Sequence, residues 1–422
     1  MLLDKIKYNI SDYLYMERYI NDGSPSGFSE ITSSQPTKAK SINQHFYLIG
    51  LSFLDKINIQ DYGEKPAFAD KWQMLIHPDM MYNPERNPLF EDCTKFDLQA
   101  LKVSPTASIR TVKALDEDSW FLKLHYDGLL GRIGRKLERK HAISAVEVSK
   151  IIEKAIDAGK LPEKFFIQRE PFARIVDLQD KNGQPYEWGI VLRESTAYPY
   201  NEKIKLLMPA FSLFSKDPKN PNHKSILTQL IEKQTKSVED FLFDLIAPVF
   251  ESYFELLLNC GLQLECHAQN MLFAIDEDFK IVGVVAKDME SIDKDISLMA
   301  ELKIEHNQEI LNYESYKSLI KERDDNYYKQ HSFMFDFKLG EYLITPIIDD
   351  AVKNFPSLDK EKLIKRIKDY NHIFSKRLPK DFFPPFGNWY SDKREIRDRT
   401  KKKKYVENKN PKYHYRNTKL KI

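Results

Sequence analysis

Short apolar runs bounded by turn residues come in pairs along this chain, and longer runs with helical spacing separate the pairs. ASIRTV and SWFLKLHY flank the charged turn ALDED. KFFIQREPFARIV and WGIVLREST flank DKNGQP, and NMLFAID meets FKIVGVVAKD across the acidic stretch at Asp276–Asp278. Short runs broken by Gly, Pro, Asn and Asp read as strands, while apolar residues spaced three and four apart read as helices. Helical spacing covers residues 1–22, 144–158, 225–260 and most of 293–390. Residues 45–54 and WQMLIHPD read as further strands; residues 23–40, 83–105 and 217–224 read as loops. Strand pairs interleaved with helices predict an α+β fold of mixed antiparallel sheets with a helical C-terminal part.

At 422 residues the chain is long for one core, and at about 150 residues per domain it divides into two or three lobes. Cys93, Cys260 and Cys266 have neither metal-site spacing nor the density of a disulfide framework, so a reducing, cytoplasmic setting is expected. No apolar run approaches the roughly 20 residues of a membrane span, and the charged N-terminus does not read as a signal peptide. The net charge of +2 conceals a basic C-terminal tail: residues 393–422 hold 13 Lys or Arg and 3 Asp or Glu. A solvated tail is the plainest reading. Closure over an anionic substrate comes next, and nucleic acid is the least favoured partner.

The polar segment ECHAQN, Glu265–Asn270, interrupts apolar surroundings. If extended, it places Gln263, Glu265, His267 and Gln269 on one face, with Leu264, Cys266 and Ala268 on the other. Asp288 ends an apolar strand, where a carboxylate is costly unless paired or bound to metal. Glu265, Asn270 and Asp288 are hard oxygen donors of the kind Mg2+ takes alongside nucleotide phosphates. A satisfied polar network at a domain seam would look the same. Upstream, alternation puts Phe121, Lys123 and His125 on one strand face. The spacing of Arg132, Arg135, Lys136 and Arg139 predicts a basic stripe on a helix capped by Asp127. A small-molecule kinase would need a carboxylate base where Gln269 stands, and an amide is no base. Adenylyl transfer to a carboxylate needs no such base, because the acid is itself the nucleophile.

SIRT, FLKL followed by GRIGRKL, ECHAQN and KDMES, in this chain's order, resemble the siderophore synthetases that act independently of nonribosomal peptide synthetases, the IucA/IucC (aerobactin synthetase) type. The resemblance runs over roughly residues 70–300. It implies a cupped-hand fold of thumb, fingers and palm: a reduced thumb-like region at 1–70, ATP-binding fingers at 71–215, a palm at 216–392, then the tail. It implies use of ATP and Mg2+ to adenylate a carboxylic acid such as citrate, then displacement of AMP by an amine or hydroxyl. It also implies a homodimer.

By position, the resemblance assigns Ser108, Arg110 and Thr111 to the triphosphate, with Lys123 as a second phosphate contact. Arg135 would hold the substrate carboxylates, His267 would face the substrate and Gln269 the nucleotide. Glu265, Asn270 and Asp288 would hold Mg2+. His77 matches the first His of a His-Pro-x-His-Pro segment on the cofactor side. The chain departs from the pattern at Met80 and Met81, which stand where that segment has its second His and Pro, and at Lys287, which replaces an Arg. The interval from His77 to Ser108 is also short. The alternatives are the same ligase chemistry on a sugar acid, peptide or surface-polymer precursor, a small-molecule phosphotransferase, and a non-catalytic nucleotide-binding protein.

Overall fold

The structure, a computed structural model, describes residues 3–21, 45–82, 88–90, 92–108, 110–117, 119–130, 133–179, 182–307, 332–378, 394–397 and 403–406. The loop expected at 23–40 and most of the basic tail lie outside them. The described part is α+β, as the alternation predicted.

An antiparallel sheet of eight strands carries the first half. In chain order its strands are β1 (Phe46–Phe53), β2 (Asn58–Gly63), β3 (Met74–Ile76), β4 (Cys93–Pro105), β5 (Thr111–Ala114) and β6 (Trp120–Leu124), joined later by β10 and β11. A two-stranded ribbon follows, β7 (Tyr126–Leu130) with β8 (Ile133–Arg135), then β9 (Phe165–Ile167), β10 (Phe172–Gln179) and β11 (Pro185–Glu194). Across the large sheet the order is β2-β10-β11-β6-β5-β4-β1-β3. A four-stranded sheet is built from β12 (Leu206–Pro209), β14 (Met271–Ile275), β15 (Ile281–Ala286) and β9, which runs parallel to β15. The small sheet thus takes strands from both sides of position 215.

Two sequence expectations are corrected here. Residues 93–105 are not loop but the long strand β4. Its first half is exposed and paired only with β1, so its own side chains carry no core alternation; the ladder partner makes it a strand. The expected helix after Asp127 is instead the β7–β8 ribbon, and helix α2 begins only at Arg139 (Arg139–Asp157). Gly128, Gly131 and Gly134 explain this, since each costs a helix about 1 kcal/mol relative to Ala. Arg139 then serves the scaffold: its guanidinium pairs with Asp177 and, at 3.1 Å, with Glu187 on the β10–β11 hairpin.

The helices pack as amphipathic faces. Helix α2 lays Ala142, Ala145 and Val146 against Ala173, Ile175 and Val191 of the large sheet. Helix α5 (Val238–Cys260) buries Phe250, Tyr253, Phe254 and Leu257 in the core of the C-terminal half, where Phe335, Leu339 and Leu343 of a wide helical turn (Ser332–Ile344) meet it. That helix ends at Gly261, whose left-handed φ of +66° lets its N–H return to Leu257 and turns the chain toward Glu265. Helix α1 (Ile10–Tyr19) bridges the sheets: Tyr13 and Leu14 pack with Phe121 of the large sheet and Phe166, Leu272 and Val285 of the small one.

Candidate active site

A cavity of about 250 Å3 opens where the two sheets face each other. From the large sheet come Ser108, Arg110 and Thr111, on the turn into β5, and Lys123 on β6. Thr111 and Lys123 are cross-strand partners, which puts both side chains on one sheet face. Arg193 on β11 is paired with Phe121 and reaches the same face. From the other side come Glu265, His267, Gln269 and Asn270, then Asp288 and Glu290 after β15. Nine of the eleven residues singled out in the sequence therefore line one cavity.

ECHAQN is not a strand. The backbone is extended only at Leu262–Gln263, and then folds into a turn in which Asn270 N–H donates to His267 C=O at 2.9 Å. The two-sided partition expected of a strand survives only from Leu264 onward: Leu264, Cys266 and Ala268 join the apolar core while Glu265, His267 and Gln269 face the cavity, and Gln263, expected on that face, is instead buried against the Tyr253 hydroxyl. Ala268 N–H donates to Tyr342 C=O, tying the turn to the wide helical segment.

Charge is tightly matched. The Lys123 ammonium touches the Asp288 carboxylate and lies 2.5 Å from Glu290 Oε2. Arg193 donates to Glu170 at 2.8 Å and reaches Asp288 at 3.4 Å. Lys338 is 2.5 Å from Glu265, and Lys287 is 2.5 Å from Glu17. Burial alone would raise the Asp288 carboxyl, but Lys123 and Arg193 hold it below the usual carboxylate range. Glu290 is likewise held low against burial by Lys123 and Arg110. Burial lowers His267, so its imidazole is neutral near pH 7. Its Nδ1 accepts the Gln269 N–H at 3.2 Å, which leaves the ring proton on Nε2, 3.6 Å from Glu265. His267 is thus built to donate a hydrogen bond. Asp288 itself has φ +69°, a left-handed conformation that Asp tolerates better than most residues.

One expected residue, His77, is not brought to the cavity. His77 is fully buried between Phe46 and Tyr126, with Asp79 N–H donating to its Nδ1 at 3.1 Å. Arg135 is described only as backbone paired with Tyr126; its side chain lies outside the described residues. Sequence reading missed Glu17, Glu170, Arg193, Glu290 and Lys338. Pairing WGIVLREST with SWFLKLHY would have exposed Arg193 as a neighbour of Lys123's face. Nothing local marks Glu17 or Lys338, which arrive from distant helices.

Residues 36–215 match the model of the IucA / IucC family. That match covers a little under half of the chain. Its fold is like that of ATP-bound aerobactin synthetase IucA from a hypervirulent pathotype of Klebsiella pneumoniae, at TM-score 0.65 and 14% identity over 86% of this chain and 71% of that one. It is also like aerobactin synthetase IucC from the same source (TM-score 0.58, 13% identity, 79% and 63% covered). The petrobactin biosynthesis protein AsbB from Bacillus anthracis is a third likeness (TM-score 0.57, 16% identity, 72% and 52% covered). No curated protein matches the sequence. The matched family region holds SIRT, Lys123 and Arg193; ECHAQN and KDMES lie beyond it and share only the likeness of fold.

Proposed function

We propose that this chain is an ATP- and Mg2+-dependent ligase of the IucA/IucC type. It would join a carboxylic acid, citrate or a relative of it, to an amine or hydroxyl, as in siderophore biosynthesis. The carrying observation is one cavity with phosphate-type donors (Ser108, Arg110, Thr111, Lys123) on one wall and oxygen donors (Glu265, Asn270, Asp288) on the other. Among the described residues no three His, Cys, Asp or Glu side chains form a preformed metal cluster. That fits Mg2+, which takes one or two carboxylates and completes its shell with phosphate oxygens and water. The Asn270 amide nitrogen is committed to Glu265 and Ser291, at 3.1 and 3.0 Å, so its carbonyl oxygen is the atom it can offer a cation. When bound, the ion would neutralise charge on the phosphates.

The two half-reactions follow from the side chains. A carboxylate oxygen of the acid attacks the α-phosphorus of ATP, the α–β bridging P–O bond breaks, and pyrophosphate leaves. Arg110 and Lys123 stabilise the growing negative charge on the phosphates. The amine then attacks the acyl carbonyl, its C–O bond to AMP breaks, and the amine's proton passes to solvent. His267, with its proton on Nε2, is suited to donate to an acyl oxygen. Gln269, an amide, stands where the kinase-type motif would have its carboxylate base.

Incubating the protein with Mg2+, α-labelled ATP, a panel of polycarboxylic acids and a panel of amines and hydroxamates tests this. Acid-dependent AMP and pyrophosphate are expected. ADP as the product, or turnover indifferent to every acid, overturns the proposal.

A further inference from the structure

Helix α1 lies outside the residues that match the family model, yet it forms part of the cavity wall through Tyr13 and Glu17. These are four residues apart and so share one helix face. Glu17 is only 2% exposed. Its Oε1 accepts from Tyr13 OH at 2.9 Å and from Lys287 Nζ at 2.5 Å, and its Oε2 accepts the Ala107 N–H at 3.1 Å. The second contact falls one residue before Ser108, on a turn closed by Thr106 Oγ1 donating to Thr111 C=O at 2.8 Å. The first falls one residue before Asp288, and Lys287 N–H also donates to Asn270 C=O at 3.0 Å. One carboxylate therefore joins the phosphate-side turn of the large sheet to the metal-side residues of the small one.

Docking of the helix does not require this charge. Leu14 packs in the inter-sheet cluster, and Met16 and Ile20 in the main core. A buried carboxylate is costly unless paired and hydrogen-bonded, as Glu17 is, and such a pair is retained where it does a task apolar packing cannot. Fixing the separation of two loops from different sheets is such a task. We infer that Glu17 is a positioning residue that clamps the two halves of the nucleotide site in register. Lys287 then has a role of its own, as the partner of Glu17. The nucleotide part of this inference rests on the ligase reading; the clamping part does not.

The test uses full-length protein in three forms: wild type, Glu17→Gln, and Glu17→Ala combined with Lys287→Ala. Two readouts are taken well below the melting temperature: amide hydrogen exchange, and affinity for a fluorescent ATP analogue with Mg2+. Glu17→Gln should speed exchange in both 106–111 and 287–291 and weaken the analogue by about 10- to 100-fold, as for other residues that hold ligands in place. The double variant, which leaves no unpaired buried charge, should recover thermal stability toward wild type without recovering affinity. A purely structural role predicts a lower melting temperature with exchange and affinity unchanged, and overturns the inference. Faster exchange in only one segment also overturns it, because a clamp must loosen both. If wild type binds no analogue but both segments loosen, the clamp stands and the nucleotide reading falls.

Discussion

Replacing Lys123 by Met keeps the apolar stem and removes the ammonium that Asp288 and Glu290 share. The Lys123 side chain is 3% exposed, and the two acids 28% and 19%. Breaking a buried pair by removing one partner typically costs 3–5 kcal/mol. Asp288 keeps Arg193 at 3.4 Å, so a loss of about 3 kcal/mol at pH 7 is expected, the lower end of that range. The pH dependence identifies the cause. In the wild type Lys123 holds both carboxyls below their usual range against burial. The stability they contribute is therefore present above the unfolded carboxylate pKa, near 4, and is lost only as pH falls through the lower folded values. In the variant, burial pushes both carboxyls up with much less to oppose it. The folded state then takes up protons before the unfolded state does, and the deficit shrinks as pH falls from 7 to 5. Each unit by which a folded pKa exceeds its unfolded value removes about 1.4 kcal/mol of the deficit. Urea midpoints of both proteins at pH 8, 7, 6 and 5 measure this. A gap that stays constant or widens toward pH 5 refutes the reasoning.

Arg110→Ala should lower kcat/KM for ATP by about 2–4 kcal/mol, roughly 30- to 1,000-fold, with the circular dichroism spectrum unchanged; wild-type kinetics would remove Arg110 from the site. Gly261→Ala should lower stability by about 1–2 kcal/mol. Its φ is +66°, and a Cβ there would sit 2.9 Å from the Met299 backbone nitrogen; an unchanged urea midpoint would contradict this. Cys260 is fully buried, and burial pushes its thiol up to about 12; Cys266, equally buried, is driven well above the usual thiol range. A thiol-specific chromogenic reagent should therefore titrate one thiol, Cys93, in native protein and three in urea. Rapid reaction of two native thiols would show the core to be open.

Much of this site was legible in the sequence because its residues sit in short apolar strands or at their ends. Alternation fixed the face of Lys123, and the end of an apolar run marked Asp288. ECHAQN gave the right partition through the wrong backbone: apolar and polar side chains alternate, but the turn at His267–Asn270 is held by tertiary contacts such as Ala268 to Tyr342. Periodicity misled between Asp127 and Arg139, where basic residues at helical spacing outweighed three glycines in the reading. Strand β4 was missed because its ladder partner, not its own pattern, makes it a strand. Glu17 and Lys338 were out of reach, since each meets the site only after folding from a distant part of the chain. His77 shows the limit of carrying a role by position: the residue is present, but the fold places it in an aromatic niche away from the cavity.

The central claim is that this cavity transfers an adenylyl group to a carboxylate. Positional isotope exchange tests it most directly, with ATP carrying 18O in the α–β bridge, Mg2+ and a carboxylic acid, and the amine left out. The account predicts acid-dependent movement of the bridging label into non-bridging β positions, as reversible loss of pyrophosphate requires. It also predicts that Asp288→Asn abolishes the exchange. Acid-dependent turnover with the label left in place, or movement of label without any acid, would contradict it.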